Sequence, residues 1–389
     1  MKKIFFSNVN TIAYDEKGVY VDGKILSEED KEENESNEDC ANRLMRNTYQ
    51  NILAKQYENI VVLTGAGSSY NIGKTNQGKL MTGLWNEVKE ALSYQKIKEF
   101  AYQINFLDVS EENTNLEDFI SHADLYQKIS TSDNKITSTI NEIKSIIRNN
   151  CHIIIPENAP HHEFIKKLTS RKTKYSRTKI FTLNYDTLFE QAASDRGYII
   201  IDGFSFSSPR QFNGAYFDYD IVSRASHKLL SEENFVSNVI HLYKPHGSID
   251  WEESNGKIFK TNNTKKPLMI YPSSTKYESS YRQPFFEMMS RFQQETRSKN
   301  TLLIIIGFSF GDAHITAMIK EALNVNLSIT MLIVSPDVHE EKDQYKFFKE
   351  KAEKSGNINL INETFESFVK YYPLSDVYDL SEERRIGID

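Results

Sequence analysis

The chain has 389 residues, 39% hydrophobic and 26% charged, the balance of a soluble globular protein with one large domain or two ordinary ones. Lys and Arg total 47 against 54 Asp and Glu, and the net charge of −7 argues against a general nucleic-acid binder. Two cysteines, Cys40 and Cys151, exclude a disulfide framework and a four-cysteine zinc module. The longest apolar run, residues 302–306, is far short of a membrane span. The N-terminal stretch is too polar for a signal peptide, so a cytoplasmic location is expected.

Three β-forming runs, 4–6, 11–14 and 19–21, open the chain, and Asp22-Gly23 after the last is a hairpin signal. They predict a small β arm over residues 1–26, packed on its own domain or on another subunit, because so few strands are marginal alone. Residues 27–39 then hold eight acids and one lysine, which is the whole net charge of the chain. This run reads as a solvated linker over 27–40 or as an acidic tether for a basic partner. The main domain is expected over 41–375, with a tail at 376–389.

Residues 59–63 form a buried-strand pattern that runs into Thr64-Gly65-Ala66-Gly67-Ser68-Ser69. Strand, glycine turn and helix is a geometry that binds a pyrophosphate. The glycines let backbone N–H groups approach the anion, and the helix dipole favours negative charge. Gly73-Lys74-Thr75 resembles the end of a Walker A loop, but five residues separate Gly67 from Gly73 where that loop needs four. From about 87 to 172 the pattern is helical, clearest over 116–129 and 136–148, and predicts a helical insertion. His161-His162-Glu163 is not a metal pair, because adjacent side chains diverge.

Three later strand ends carry polar residues. Residues 179–183 end in Asn184-Tyr185-Asp186, where Asp186 also suits a helix cap. Residues 239–243 lead to Lys244-Pro245-His246-Gly247-Ser248. Residues 301–306 are apolar throughout and lead to Gly307-Phe308-Ser309-Phe310-Gly311-Asp312, with Asp312 read as the cap of the next helix. A further buried strand is expected at 329–334. Ligands of open parallel sheets bind outside the carboxyl ends of strands. The fold class expected is therefore α/β: a Rossmann-like parallel sheet with helices on both faces, a helical insertion and a short N-terminal β arm.

These residues together resemble the sirtuin-like NAD-binding family, in its zinc-free bacterial antiphage-defence branch. The resemblance rests on Gly65 to Ser69, Asn184 to Asp186, Lys244 to Ser248 and Gly307 to Asp312, with secondary likeness at Leu84 to Glu87 and Asn115 to Phe119. It implies that Gly65, Ala66, Gly67, Ser68 and Ser69 cradle the NAD diphosphate. It also implies that Asn184 lies by the nicotinamide ribose, that His246 is the catalytic base, and that Gly307 and Ser309 contact the adenosine side. Asp186 is a candidate for ribose binding or for supporting Asn184. Deacylating sirtuins carry a zinc module and a Gly-Ile-Pro-Asp-Phe-Arg continuation of the glycine loop. Here that stretch reads Tyr70-Asn71-Ile72-Gly73-Lys74-Thr75, and the helical insertion stands in place of the zinc module. The implied activity is NAD+ hydrolysis to nicotinamide and ADP-ribose, with NAD as substrate and no metal required.

The defence branch further implies a homo-oligomer, or control by a HerA-type hexameric ATPase, in an effector that depletes NAD on phage infection. Two other classes stay open. One is a non-catalytic NAD or ADP-ribose sensor, and the other a nuclease or ADP-ribosyltransferase.

Overall fold

The computed structural model describes residues 1–112, 114–129, 134–223, 234–262, 264, 266–270 and 283–374. The expected tail at 376–389 lies outside the described residues. The first half of the chain gives β1 (Lys2–Phe6), β2 (Thr11–Asp15), β3 (Gly18–Val21), β4 (Lys24–Ile25), α1 (Asn37–Leu53) and β5 (Asn59–Thr64). The helices α2 (Met81–Leu92), α3 (Tyr94–Gln103), α4 (Leu116–Ile129), α5 (Asn134–Cys151) and α6 (Pro160–Thr169) come after it. Next come β6 (Lys179–Thr182), α7 (Leu188–Asp195), β7 (Ile199–Ile201), β8 (Arg210–Gln211), β9 (Val239–Tyr243), β10 (Gly247–Ser254), β11 (Lys257–Lys260) and β12 (Pro267–Met269). The last part holds α8 (Phe285–Arg297), β13 (Thr301–Ile306), α9 (Ala313–Val325), β14 (Thr330–Val334), α10 (Asp343–Lys354), β15 (Ile358–Ile361) and α11 (Phe365–Tyr371).

Eleven strands form one sheet in the order β4-β3-β2-β1-β15-β14-β13-β5-β6-β9-β7. The seven from β15 to β7 run parallel. Every residue of β13 is buried, as a strand with two faces to cover requires. Its side chains alternate between the faces. Leu302, Ile304 and Ile306 meet Met45 and Tyr49 of α1 and Phe368 of α11 in one core. Leu303 and Ile305 meet Phe292 of α8, Ile319 of α9 and Phe348 of α10 in the other. Helices cover both faces, and the fold is a doubly wound α/β sheet.

The N-terminal strands continue this sheet. β1 pairs antiparallel with β15, Phe5 opposite Ile361. The β3–β4 turn has positive φ at both Asp22 and Gly23, the geometry of a type I′ hairpin. The acidic run is held in place more than its composition suggests. Ser36 caps α1, which begins at Asn37, and Arg43 on α1 binds Glu35 at 2.7 Å. The Arg43 guanidinium holds the Glu35 carboxyl down at about 2.

Helices α2 to α5 enclose a third core of their own, built on Trp85, Phe100, Phe119, Ile140 and Ile147. Helix α6, which the sequence placed in the same insertion, packs Phe164 and Leu168 into the core of the large sheet instead. A second sheet, β12-β10-β11-β8, lies outside the sequence expectation; β8 and β12 have only two and three residues, and only β10 and β11 are joined by a tight turn, at Asn255-Gly256. Among the described residues, no helix is long and apolar enough to cross a membrane.

Candidate active site

From β5 the chain visits β6, β7 and β9 on one side of the sheet, and later β13, β14 and β15 on the other. The order therefore reverses between β5 and β13. A crevice opens at such a switch point, outside the carboxyl ends of the strands. The four motifs lie just after β13, β5, β6 and β9, four consecutive neighbours, so the topology brings all of them to that edge.

The glycine turns after β5 and β13 pack backbone to backbone. Gly307 has φ +60, and a Cβ there would lie 2.6 Å from Gly67 Cα. The N–H of Gly67 donates to Gly307 O at 3.0 Å, and that of Gly65 to Ile306 O at 3.0 Å. The geometry expected after β5 differs in one respect. No α-helix adjoins the turn; Ala66–Ser68 form a single 3-10 turn, and α2 starts only at Met81. The N–H groups of Ser68 and Ser69 close that turn on Gly65 O and Ala66 O. The helix-dipole argument thus fails here. A single turn has too few aligned peptides, and most of its N–H groups bond within the protein. Ala66 is exposed and Gly67 half-buried at the rim of the turn.

Asn184 reaches from the end of β6 into this turn. Its Nδ2 lies 3.0 Å from Gly65 O, 3.1 Å from Ser68 Oγ and 2.7 Å from Ser69 Oγ. Ser69 Oγ donates onward to Asp186 Oδ2 at 2.7 Å, and Asp186 Oδ1 accepts from Leu188 N at 3.1 Å. Asp186 thus supports both the first turn of α7 and the serine that holds Asn184. Ser68 is fully buried and its hydroxyl donates to Gly65 O at 2.9 Å.

His246 comes after β9 in a turn closed by Gly247 N on Lys244 O at 3.0 Å. Gly247 has φ +86, and a Cβ there would lie 2.1 Å from Leu268 O in β12, so no other residue fits. His246 is buried, and its Nε2 lies 3.0 Å from Asp312 Oδ2. Asp312 caps α9 as the sequence suggested, its Oδ1 accepting from His314 N at 2.9 Å and Ile315 N at 3.2 Å. The second contact, to His246, was not legible. Ser309 is exposed on the turn between Gly307 and Asp312.

Lys244 belongs to the Lys244–Ser248 motif, but sequence reading gives it no role. It is 1% exposed; its Nζ donates to Asp186 O and lies 3.2 Å from Glu190 Oε1. A lysine closing the apolar run of β9 was the available signal. Lys260 continues the network to Asp202 at 2.9 Å and Asp250 at 3.5 Å. Burial would depress Lys260, but the Asp202, Asp250 and Glu190 carboxylates hold it above the usual lysine range. Burial pushes Asp250 up, but the Lys260 and Lys244 ammoniums outweigh it and hold the carboxyl low. Glu190, Asp202, Asp250 and Lys260 line a cleft of about 600 Å³ that none of the sequence-predicted site residues lines. The end of the helical module reaches the site as well. Burial pushes the Cys151 thiol up to about 12, and the nearby Asp186 carboxylate adds to it.

Fold and site define a doubly wound α/β protein whose four polar strand ends meet at its switch point. Residues 178–358 match the family model described as the SIR2-like domain. That stretch holds Asn184, Asp186, His246, Gly307, Ser309 and Asp312, and begins after the glycine turn of β5. Among solved structures, the chain is similar to a Sir2 homologue mutant–ADP ribose complex, at 13% identity over 88% of this chain and 99% of that one, with a TM-score of 0.36. A structure described as the structural basis for the mechanism and regulation of Sir2 enzymes is similar at 12% identity, over 88% and 99%, with a TM-score of 0.35. Both likenesses are remote. Among curated proteins no match is found.

Proposed function

We propose that the protein is an NAD+ glycohydrolase, splitting NAD+ with water into nicotinamide, ADP-ribose and a proton. The observation that supports it best is the tie between Asn184 and the glycine turn, at 3.0 Å to Gly65 O and 2.7 Å to Ser69 Oγ. It joins two motifs distant in sequence into one site, with His246 on the neighbouring strand end.

Nicotinamide departs from a cationic glycosidic nitrogen and leaves neutral. No general acid is required, unlike an ordinary glycoside, which needs a carboxylic acid facing its leaving oxygen. The tasks left are holding the ribose and delivering water. The Asn184 amide nitrogen is committed to the glycine turn, so its oxygen is the atom that accepts from water or a ribose hydroxyl. His246 takes the proton as water attacks C1 of the ribose. The rim at Ala66 and Gly67 faces the diphosphate, and Ser309 the adenosine side. Binding energy far from the breaking bond then fixes the reacting centre.

Protein deacylation is not proposed, because the sequence lacks the four cysteines of the zinc module. Uncontrolled loss of NAD would be toxic. In this reading the protein is a cytoplasmic antiphage effector held in check by self-assembly, by a HerA-type ATPase, or by both. The N-terminal strands and the acidic run are the surfaces offered for that control. Nicotinamide release by purified wild type, with Asn184→Ala and His246→Ala silent, supports the proposal. Full activity in His246→Ala sinks it. Binding of NAD without release, even in the assembled state, points to a sensor.

A further inference from the structure

Asp312 stands where two demands meet. Its Oδ1 caps α9, and its Oδ2 lies 3.0 Å from His246 Nε2, with both side chains over nine-tenths buried. A helix cap needs only a neutral acceptor, which Ser, Thr or Asn supplies equally well. The negative charge of the aspartate, which the dipole of α9 also favours, is buried here against an imidazole.

We infer that Asp312 is a positioning residue for the base: it sets its carboxylate against the His246 ring and stabilises the imidazolium formed when His246 takes a proton. The inference rests on the glycohydrolase reading of the site. In the step it assists, the water oxygen forms a bond to C1 of the ribose as the C1–N bond breaks. That electron pair stays on the nicotinamide nitrogen, which becomes neutral. The water proton passes to His246 and from there to solvent. The substrate's positive charge thus ends on the imidazole, where the carboxylate meets it. A buried carboxylate in contact with a catalytic histidine acts in this way without itself being protonated. The same residue ties the turn that carries Ser309 to the base, so the adenosine end and the hydrolytic end share one rigid junction.

The test uses Asp312→Asn, which keeps a capping acceptor and the side-chain shape but loses the charge. Three readouts are taken. In NAD turnover, kcat is expected to fall on the order of a hundredfold while KM stays within a few-fold. In chemical denaturation the same substitution is expected to cost less stability in a His246→Ala background than in wild type, because the carboxylate and the ring act as a pair. In ring-labelled NMR without substrate, the His246 titration midpoint is expected to drop by about one pH unit or more when the carboxylate is removed. Asp312→Glu is expected to restore part of the loss. An Asn variant with wild-type kcat overturns the inference, as does an equal loss of stability in the wild-type and His246→Ala backgrounds. An unmoved His246 titration also overturns it. The NMR readout needs no turnover, so it judges the Asp312–His246 pair even where the glycohydrolase reading itself fails.

Discussion

Asn184 Nδ2 sits 2.7 Å from Ser69 Oγ, and Ser69 Oγ sits 2.7 Å from Asp186 Oδ2, so one serine hydroxyl links both polar residues of the β6 end to the glycine turn of β5. The hydroxyl accepts from the amide and donates to the carboxylate, which fixes the direction of both bonds. Ser69→Ala is expected to strip Asp186 of a buried donor and Asn184 of an acceptor. The expected cost is about 1–3 kcal/mol of stability, read from chemical denaturation. NAD turnover is expected to fall further than that loss alone explains, because Asn184 loses the shortest of its three ties to the turn.

Gly307→Ala meets a positive φ and the Gly67 backbone together. The conformational strain alone costs about 1–3 kcal/mol, and the contact adds to it. Gly311→Ala, two residues after Ser309, meets nothing closer than Ser309 Oγ at 3.4 Å and is expected to be close to neutral. A urea midpoint for each variant separates them. Equal midpoints would refute the close approach of the two turns.

Removing the buried ammonium in Lys244→Met strands the Asp186 carbonyl and weakens the pairing of Glu190. A loss of about 3–5 kcal/mol is expected. Adding Glu190→Gln is expected to restore part of it, because the remaining carboxylate imbalance is relieved. A double variant no better than the single one would contradict the pairing.

Two buried histidines set an acid limit on stability. Burial pushes His161, wedged between Phe189 and Phe365, and His241 of β9 down to about 3. Their unfolded forms titrate near the ordinary value of 6.5. Between those values the unfolded chain binds protons that the folded chain refuses. Stability is therefore full above pH 6.5 and falls as pH drops toward 3, by about 1.4 kcal/mol per unit for each histidine. Denaturation between pH 6.5 and 5 checks this, and His161→Phe is expected to remove about half of the slope.

The parts of the fold that the sequence shows are those where one strand's own composition decides. The apolar runs of β5, β13 and β14 read as buried central strands, and the glycine turns after β5 and β13 mark the edge where the motifs meet. The second sheet is invisible by the same logic. β8 has two residues and β12 three, and their pairing partners lie in other segments. The glycine turn misleads about its neighbouring element, because Gly-x-Gly reports close approach of backbone without saying to which group. Here the partner is Gly307, and no helix is involved. Asp312 carries an ordinary capping signal, and nothing local to it foretells a histidine arriving from β9. Long-range contacts of this kind depend on strand order, which no single segment encodes.

The most direct measurement is the product analysis of NAD+ hydrolysis in oxygen-18 water, by the protein alone and with a HerA-type ATPase. The expected products are nicotinamide and ADP-ribose in a one-to-one ratio, with the heavy oxygen on C1 of the ribose, and none from His246→Ala. Intact NAD in every condition, or nicotinamide released with the ADP-ribose attached to protein or nucleic acid, would contradict a glycohydrolase.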